Sequence, residues 1–304
     1  MTELSGPRHL LEVDDLTAAE LVDILDRSEH KEPPRALDGD GVMLLFEKPS
    51  ARTRTSMEMA VFQLGGHPVT LRDTEVGIDT RESAEDLARL FSGYGVAIGA
   101  RVFEHAKLER LAAAASVPVV NLLSDDAHPV QTLADLLTIR QSLGRLDDIT
   151  IAFVGDANNV ARSLAIGCGL LGIEFRLSHP AGYGLDEVDL DRIRAAGCDP
   201  QIQTDPHAAV AGADVVYTDT WYSMGQEDQK RERREAFSRW QVNDDLMGAA
   251  ASEAIFLHCL PAHRGDEVTD AIMEGPQSRI WLQAHNRMHT ARGLLWWLAD
   301  QGRQ

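Results

Sequence analysis

The sequence predicts an α/β protein built from two doubly wound parallel-sheet domains, and two observations support this prediction. Short apolar runs typical of buried strands alternate with longer runs whose apolar residues fall at helical spacing. Parallel sheets covered by helices on both faces have this rhythm. The series is interrupted at Gly144-Arg145 and then begins again, and 304 residues are enough for two domains with separate cores. We therefore expect domains over residues 1–143 and 144–286.

The first domain is predicted to open with a helix over Leu16–Arg27, because Thr17 and Glu20 have the spacing of a capping box. Its buried strands are predicted at Val42–Phe46, Val69–Leu71, Val96–Ala100 and Val117–Asn121. A long helix then runs from Pro129 to the glycine break.

The second domain repeats the alternation of strands and helices. Its strands are predicted at Ile149–Val154, Glu174–Leu177, Val215–Thr218 and Ile255–Leu257. The run Glu227–Glu235 mixes charges as a solvent-exposed helix does. A last helix, at about Thr290–Asp300, is so apolar over Leu294–Leu298 that it must pack against a core.

The charge of the chain bears on its partners and its surroundings. Forty-eight acidic residues against 29 Lys and Arg give a formal net charge of −19, which argues against nucleic acid as a partner. We expect a salt-rich cytoplasm, because about 1 M salt shortens the Debye length to about 3 Å. The alternative is an ordinary acidic protein with an Arg- and Ala-favouring codon bias. The sequence shows no secretory h-region and no apolar run long enough for a membrane span, and its three cysteines lack metal-type spacing, so we expect a cytoplasmic protein.

The segment Phe46–Ser56 is the strongest candidate for a binding site. Ser50, Arg52, Thr53 and Arg54 stand where the first predicted strand gives way to a helix. Free backbone N–H groups and the helix dipole favour an anion there, and arginine grips phosphate with paired hydrogen bonds. The segment therefore predicts a site for a compact, doubly charged anion. The alternative is a capped helix with surface arginines.

Three further segments carry polar side chains at strand ends or helix starts. His128 and Gln131 share a helix face, and the strand Ala254–Leu257 runs into His258-Cys259-Leu260-Pro261. Taken singly, such a His is more often a helix cap and such a Cys more often core. Gly155–Asn159 lacks the G-x-G-x-x-G spacing of a dinucleotide site, so its two asparagines suit an amino-acid head group instead. A simple Asn cap is the alternative for Asn158.

Three of these segments, together with a fourth motif at Asp219–Gly225, resemble in this order the transcarbamoylase family, and within it the members that act on ornithine. They are Ser50-Ala51-Arg52-Thr53-Arg54, His128-Pro129-Val130-Gln131, Asp219-Thr220-Trp221-Tyr222-Ser223-Met224-Gly225 and His258-Cys259-Leu260-Pro261. The resemblance covers the chain from about residue 8 to about 300. It implies transfer of the carbamoyl group from carbamoyl phosphate to the δ-amine of L-ornithine, giving L-citrulline and phosphate. It also implies that the C-terminal helix, about 287–304, returns to the first domain, and it implies no metal or organic cofactor.

The resemblance also implies roles for individual residues. Carbamoyl phosphate would be bound by Ser50, Ala51, Arg52, Thr53, Arg101, His128, Gln131, Cys259, Leu260 and Arg287. Ornithine would be bound by Asn159, Asp219, Ser223 and Met224. The residues implied in catalysis are Arg101, His128, Asp219 and Cys259. The first domain would thus bind carbamoyl phosphate and the second ornithine.

Two points stay open at this stage. The acceptor could instead be acetylornithine, putrescine or aspartate, although the acid Asp219 favours an amine, and a catalytically silent ligand-binding paralogue is a further alternative. The family is typically trimeric, so we expect a homo-oligomer. Glu75 stands where the family commonly has a Gln that reaches a neighbouring subunit's phosphate, and Arg81 could supply the charge instead.

Overall fold

The computed structural model describes residues 6–222 and 227–302, which divide into two compact units. One unit comprises the chain up to Ala134 together with His285 onward, and the other comprises Asp135–Ala284. Each contains one sheet of parallel strands, so the predicted α/β class with two parallel sheets is confirmed.

The first unit is built on a four-stranded sheet. In chain order its elements are α1 (Ala18–Glu29), β1 (Gly41–Phe46), α2 (Ala51–Gln63), β2 (His67–Arg72), α3 (Asp73–Val76), α4 (Ala84–Ser92), β3 (Ala97–Arg101), α5 (His105–Ala114), β4 (Val119–Leu123) and the start of α6 (Pro129–Leu143). The capping box predicted for α1 is present, with Thr17 and Glu20 as its members. The strand order is β2-β1-β3-β4, so the chain turns back across β1 to form β3.

The second unit is built on a five-stranded sheet. Its elements are β5 (Thr150–Val154), α7 (Asn159–Leu171), β6 (Glu174–Ser178), α8 (Glu187–Ala195), β7 (Gln201–Gln203), α9 (Pro206–Val210), β8 (Val215–Thr218), α10 (Lys230–Phe237), α11 (Asp244–Met247), β9 (Ile255–His258), α12 (Asp270–Met273) and the start of α13 (Ile280–Gln301). The order β7-β6-β5-β8-β9 reverses direction at β5. Strand β7 escaped the sequence analysis because its three residues lie at the sheet edge and two of them are polar.

The last helix belongs largely to the first unit, as predicted. The Arg27 guanidinium pairs with Asp300 at 2.5 Å, and Arg292 donates to the Ser28 carbonyl at 2.9 Å. The helix begins ten residues earlier than predicted, at Ile280. Its first half carries buried polar residues such as Gln283, which hide the apolar spacing on which the prediction rested.

The prediction that the run Glu227–Glu235 is solvent-exposed is confirmed except at one residue. The run forms a 3₁₀ turn and most of α10, and residues 228–232, 234 and 235 are exposed. Arg233 is instead buried, at 8% exposure, and pairs with the Asp156 carboxylate. Within residues 6–222 and 227–302, no helix has the length and apolar character that crossing a lipid bilayer requires.

Candidate functional site

The first unit places its anion-binding residues where the strand order reverses. Strands β1 and β3 are adjacent there, and ligands of open α/β sheets bind beyond the carboxyl ends of such strands. Ser50 follows β1 and caps α2, since its Oγ accepts from the Thr53 N–H at 3.3 Å. Arg101 is the last residue of β3. The structure therefore places the Arg101 guanidinium next to the start of α2, the two groups that were predicted to bind one anion.

Two arginines converge on one hydroxyl in this unit. Arg101 donates from Nη1 to Ser50 Oγ and Thr53 Oγ1, both at 3.3 Å. Arg287, from α13, donates from Nη2 to the same Thr53 oxygen at 3.3 Å and from Nη1 to Gln131 Oε1. Thr53 is 2% exposed and Arg287 is 5% exposed. Two guanidiniums held this close by neutral partners form a strongly anion-attracting site.

His128 lies beside this cluster as a neutral imidazole. Burial lowers its pKa well below the ordinary value, and the positive charges of Arg287 and Arg101 lower it further. The pKa of Lys48 is also lowered, chiefly by burial and then by Arg101. Both shifts reflect an electropositive, partly dehydrated environment. A neutral His128 keeps one N–H that can donate to a ligand oxygen.

Three neighbouring residues on α2 differ in their placement. Ala51 is its exposed first residue, and Arg52 is its half-buried second residue. Arg54 is instead paired with Glu58, at 2.8 Å between Nε and Oε1. The sequence analysis placed Arg54 among the anion-binding side chains. In the structure its charge is instead balanced by Glu58, one turn further along α2.

The second unit has its own reversal point, between β5 and β8. Asn158 follows β5 and caps α7, because its Oδ1 accepts from the N–H groups of Val160 and Ala161 at 3.0 and 3.2 Å. Its Nδ2 donates to Asp219 Oδ2, just beyond β8, at 2.7 Å. The cap reading of Asn158 is thus confirmed, but the same amide also orients the carboxylate.

Cys259 reaches Asp219 from the end of β9. Its thiol donates to Asp219 Oδ1 at 3.0 Å, and Asp219 is only 5% exposed. Asp219, His258 and Cys259 each offer one atom that could coordinate a metal ion, and these three atoms lie within 4.8 Å of one another. Both ring nitrogens of His258 are engaged, with the Leu260 N–H and with Glu267. A carboxylate and a thiol, two groups suited to an amine, thus lie side by side at the ends of β8 and β9.

The other residues predicted on this side are placed less completely. Asn159 is the first residue of α7 and is half-buried. Leu260 adopts a left-handed backbone, with φ of 60°, and its peptide bond to Pro261 is cis. Ser223 and Met224 lie outside the described residues.

An ion pair between buried Arg233 and half-buried Asp156 was missed by the sequence analysis. Arg233 donates from Nη1 to Asp156 Oδ2 at 2.9 Å and to the Trp221 carbonyl at 2.6 Å. It thereby ties α10 to the loops that follow β5 and β8. Burial raises the pKa of Asp156, and Arg233 opposes that shift. The signal in the sequence was Asp156, an acid in a loop that also carries two asparagines. Its cationic partner lies 77 residues further along the chain, where no local pattern connects the two.

Glu75 and Arg81 are both exposed on the first unit. The Glu75 carboxylate accepts from the Arg72 N–H at 2.8 Å, and Arg81 Nη1 donates to the Glu75 carbonyl at 3.0 Å. Both contacts are local, and they fix the turn in which Glu75 and Arg81 lie.

Comparison with known proteins gives consistent matches over nearly the whole chain. Residues 8–141 match the family described as "Aspartate/ornithine carbamoyltransferase, carbamoyl-P binding domain", and residues 147–298 match its "Asp/Orn binding domain". A curated relative from Haloquadratum walsbyi, named ornithine carbamoyltransferase, is 47% identical over 94% of this chain and 96% of its own length. The ornithine carbamoyltransferase structure from Pyrococcus furiosus has a TM-score of 0.91 at 42% identity, covering 95% of this chain and 96% of that one. The one from Thermus thermophilus has a TM-score of 0.88 at 42% identity, covering 96% and 99%.

Proposed function

The chain belongs to the aspartate/ornithine carbamoyltransferase family, and on that premise we propose how its own residues perform the reaction. It catalyses transfer of the carbamoyl group from carbamoyl phosphate to ornithine. The observation that carries our assignment of roles is the pairing of Asp219 with Cys259 at 3.0 Å, an acid and a thiol suited to an amine.

The phosphate of carbamoyl phosphate binds at the start of α2. Ser50, Ala51, Arg52 and Thr53 present hydroxyl and backbone donors there, and Arg101 and Arg287 supply positive charge. The arginine donors that now share the Thr53 oxygen would turn toward the ligand's charged oxygens. Charge-assisted bonds of this kind are roughly twice as strong as neutral ones.

The carbamoyl group lies against His128, Gln131 and Arg101. Attack on the carbamoyl carbon puts negative charge on its oxygen, and preorganised donors stabilise that charge. A neutral His128 N–H suits this role, because burial and two arginines keep the ring from taking a second proton. Gln131, oriented by Arg287, contacts the carbamoyl amide.

The acceptor amine of ornithine binds Asp219. An alkyl amine has a pKa of about 10.4 and must lose a proton before it attacks. We assign Asp219 and Cys259 to receive the ammonium and assist that loss, with Leu260 as a further ligand contact. Asn159, Ser223 and Met224 hold the amino-acid end. After attack, the tetrahedral intermediate expels phosphate and leaves citrulline, with no covalent enzyme intermediate.

Domain roles, assembly and location complete the proposal. The first domain, 1–143 with the helix 287–304, binds carbamoyl phosphate, and the second, 144–286, binds ornithine. We propose a homotrimer, in which Arg81 rather than Glu75 faces a neighbour's phosphate, since a carboxylate would repel it. A reducing cytoplasm suits the cysteines, none of which is in a disulfide within the described residues.

The test is product formation from carbamoyl phosphate with ornithine, acetylornithine, putrescine and aspartate, each at saturation. Ornithine-selective formation of a ureido product is expected. Turnover with another acceptor would keep the phosphate half of the proposal and overturn the role of Asp219. Bound carbamoyl phosphate without any turnover would favour the silent binding paralogue.

A further inference from the structure

Residues 219–222 begin with the carboxylate proposed to meet the ornithine amine, and side chains from later parts of the second unit hold them. The Trp221 carbonyl accepts from Arg233 in α10 at 2.6 Å. Thr220 and Tyr222, on either side of Trp221, contact the β9–α12 loop, residues 259–269. The chain that leads away from Asp219 is therefore fixed at three consecutive residues.

Tyr222 makes two contacts with the β9–α12 loop. Its hydroxyl donates to Asp266 Oδ2 at 2.8 Å. Its ring stacks on the imidazole of His263, with centroids 4.4 Å apart and an angle of 24° between the planes. Tyr222 and Asp266 are both 6% exposed. Because the ring is stacked and the hydroxyl is bonded, the orientation of this buried phenol is fixed.

His263 also holds the residue two positions before Tyr222. The Thr220 hydroxyl has a single proton, which it donates to the Tyr222 carbonyl at 2.9 Å. The same oxygen therefore accepts from His263 Nδ1, at 2.8 Å. One imidazole thus binds Thr220 through a ring nitrogen and Tyr222 through its face.

Asp266 joins Tyr222 to the helix α10. Its Oδ1 pairs with Arg234 Nη2 at 2.6 Å, while its Oδ2 accepts from Tyr222. Its main chain is fixed as well, since its N–H donates to the His263 carbonyl and its carbonyl accepts from Gln241, both at 2.9 Å. Burial raises the pKa of Asp266, but the bonds from Arg234 and Tyr222 lower it below its ordinary value. One ionised carboxylate therefore binds both partners.

The two partners of Asp266 bracket residues that we propose for ornithine binding. Ser223 and Met224, assigned to the amino-acid end of ornithine, lie between Tyr222 and Arg234 in the sequence. A single carboxylate thus connects the chain before these residues to the helix after them. Fixing both ends of a segment reduces the conformational freedom that remains to be lost when a ligand binds.

We infer that Asp266 is a positioning residue for ornithine, an inference that rests on the roles proposed for Asp219, Ser223 and Met224. It acts through Tyr222 and Arg234, whose separation it fixes, rather than by contact with the reacting atoms. Its removal should weaken binding of the amino acid. Binding of carbamoyl phosphate should be little affected, because the phosphate-binding residues belong to the first unit.

The test compares the KM for each substrate with inhibition by L-norvaline, which has the head group and carbon chain of ornithine but lacks the δ-amine. In Asp266→Ala, we expect the KM for ornithine and the Ki for norvaline each to rise about tenfold, an effect comparable to losing one hydrogen bond to a charged group. The KM for carbamoyl phosphate should stay within about twofold of the parent, because distant sites couple weakly. Asp270→Ala is the matched control, since Asp270 also pairs with an arginine, Arg264 at 2.7 Å, but is 74% exposed.

Tyr222→Phe is a milder second variant. It removes the hydroxyl that donates to Asp266 and keeps the ring that stacks on His263. We expect the KM for ornithine and the Ki for norvaline to rise about threefold. When Tyr222→Phe is combined with Asp266→Ala, both constants should rise no further than in Asp266→Ala alone, because the two changes remove the same bond.

The outcomes separate this inference from the proposed function. If the parent forms citrulline but both constants are unchanged in Asp266→Ala, the inference is wrong and the function stands. Equal rises in the KM for ornithine and for carbamoyl phosphate would also overturn it, because general damage does not discriminate between substrates. If the parent has no turnover with ornithine, the proposed function fails, and the inference that rests on it falls too. Should Asp266→Ala fail to fold, Tyr222→Phe decides, since unchanged constants would overturn the inference and the expected rise would support it.

Discussion

Replacing Asp219 by Asn tests the charge that the ornithine amine is proposed to meet. The carboxylate is 5% exposed and accepts two bonds, from Asn158 at 2.7 Å and from Cys259 at 3.0 Å. An ammonium about 4 Å from a unit charge gains about 4 kcal/mol at an effective dielectric constant of about 20. The dipole of the asparagine amide retains part of this attraction. We therefore expect kcat/KM for ornithine to fall about 100- to 1,000-fold.

The same substitution has a separate and smaller effect on stability. An amide accepts only through its one oxygen, so one of the two bonds to residue 219 is lost. This costs about 1 kcal/mol, which lowers Tm by roughly 2–4 °C in a domain of this size. Thermal unfolding thus shows whether the loss of rate exceeds the loss of stability.

The assay is initial-rate formation of citrulline at varied ornithine with saturating carbamoyl phosphate. Asp245→Asn serves as the control, because its side chain is 87% exposed and pairs with His207 on the surface. A drop of less than about fivefold in Asp219→Asn would refute the reasoning, since roughly 1 kcal/mol is too little for a direct charge contact.

Four further predictions follow from other contacts. Thr53→Val removes the hydroxyl that the Arg101 and Arg287 guanidiniums share, so KM for carbamoyl phosphate should rise about tenfold in initial-rate assays, whereas KM for ornithine should not. Because the folded-state pKa of His128 lies well below 6.5, the unfolded state takes up its proton first as pH falls. The free energy of unfolding, from urea titrations, should therefore fall by about 1 kcal/mol more between pH 6.5 and 5.5 in the parent than in His128→Gln. Arg233→Leu leaves the half-buried Asp156 carboxylate without its cationic partner and should cost about 3 kcal/mol by the same method, a cost that Asp156→Asn in the same chain should partly relieve. If the net charge of −19 adapts the chain to high salt, Tm in 2 M KCl should exceed Tm in dilute buffer. Equal Tm values would contradict this adaptation.

The features that were predictable from the sequence are those encoded locally. The Ser50 cap and the helix it begins are specified within a few residues, and the strand that ends beside Arg101 is a short apolar run. Likewise, Asp219 and Cys259 each follow a buried strand, and neighbouring parallel strands bring their ends together.

The features that could not be predicted depend on partners far apart in the chain. Asn158 and Asp219 are 61 residues apart, and Gln131 and Arg287 are 156 apart, so no local pattern shows either bond. Arg233 sits in a run of charges that looks like a solvated helix face, and its burial follows only from Asp156, 77 residues earlier. Tertiary contacts of this kind override local pattern.

The most direct test of carbamoyl transfer is the stoichiometry of citrulline and phosphate in one reaction. Carbamoyl phosphate and ornithine are supplied together, and both products are followed with time against a reaction that lacks ornithine. The account predicts one citrulline for each phosphate, and enzyme-dependent phosphate release only when ornithine is present. Enzyme-dependent release of phosphate without citrulline would contradict it, because the bound carbamoyl group would then be passing to water.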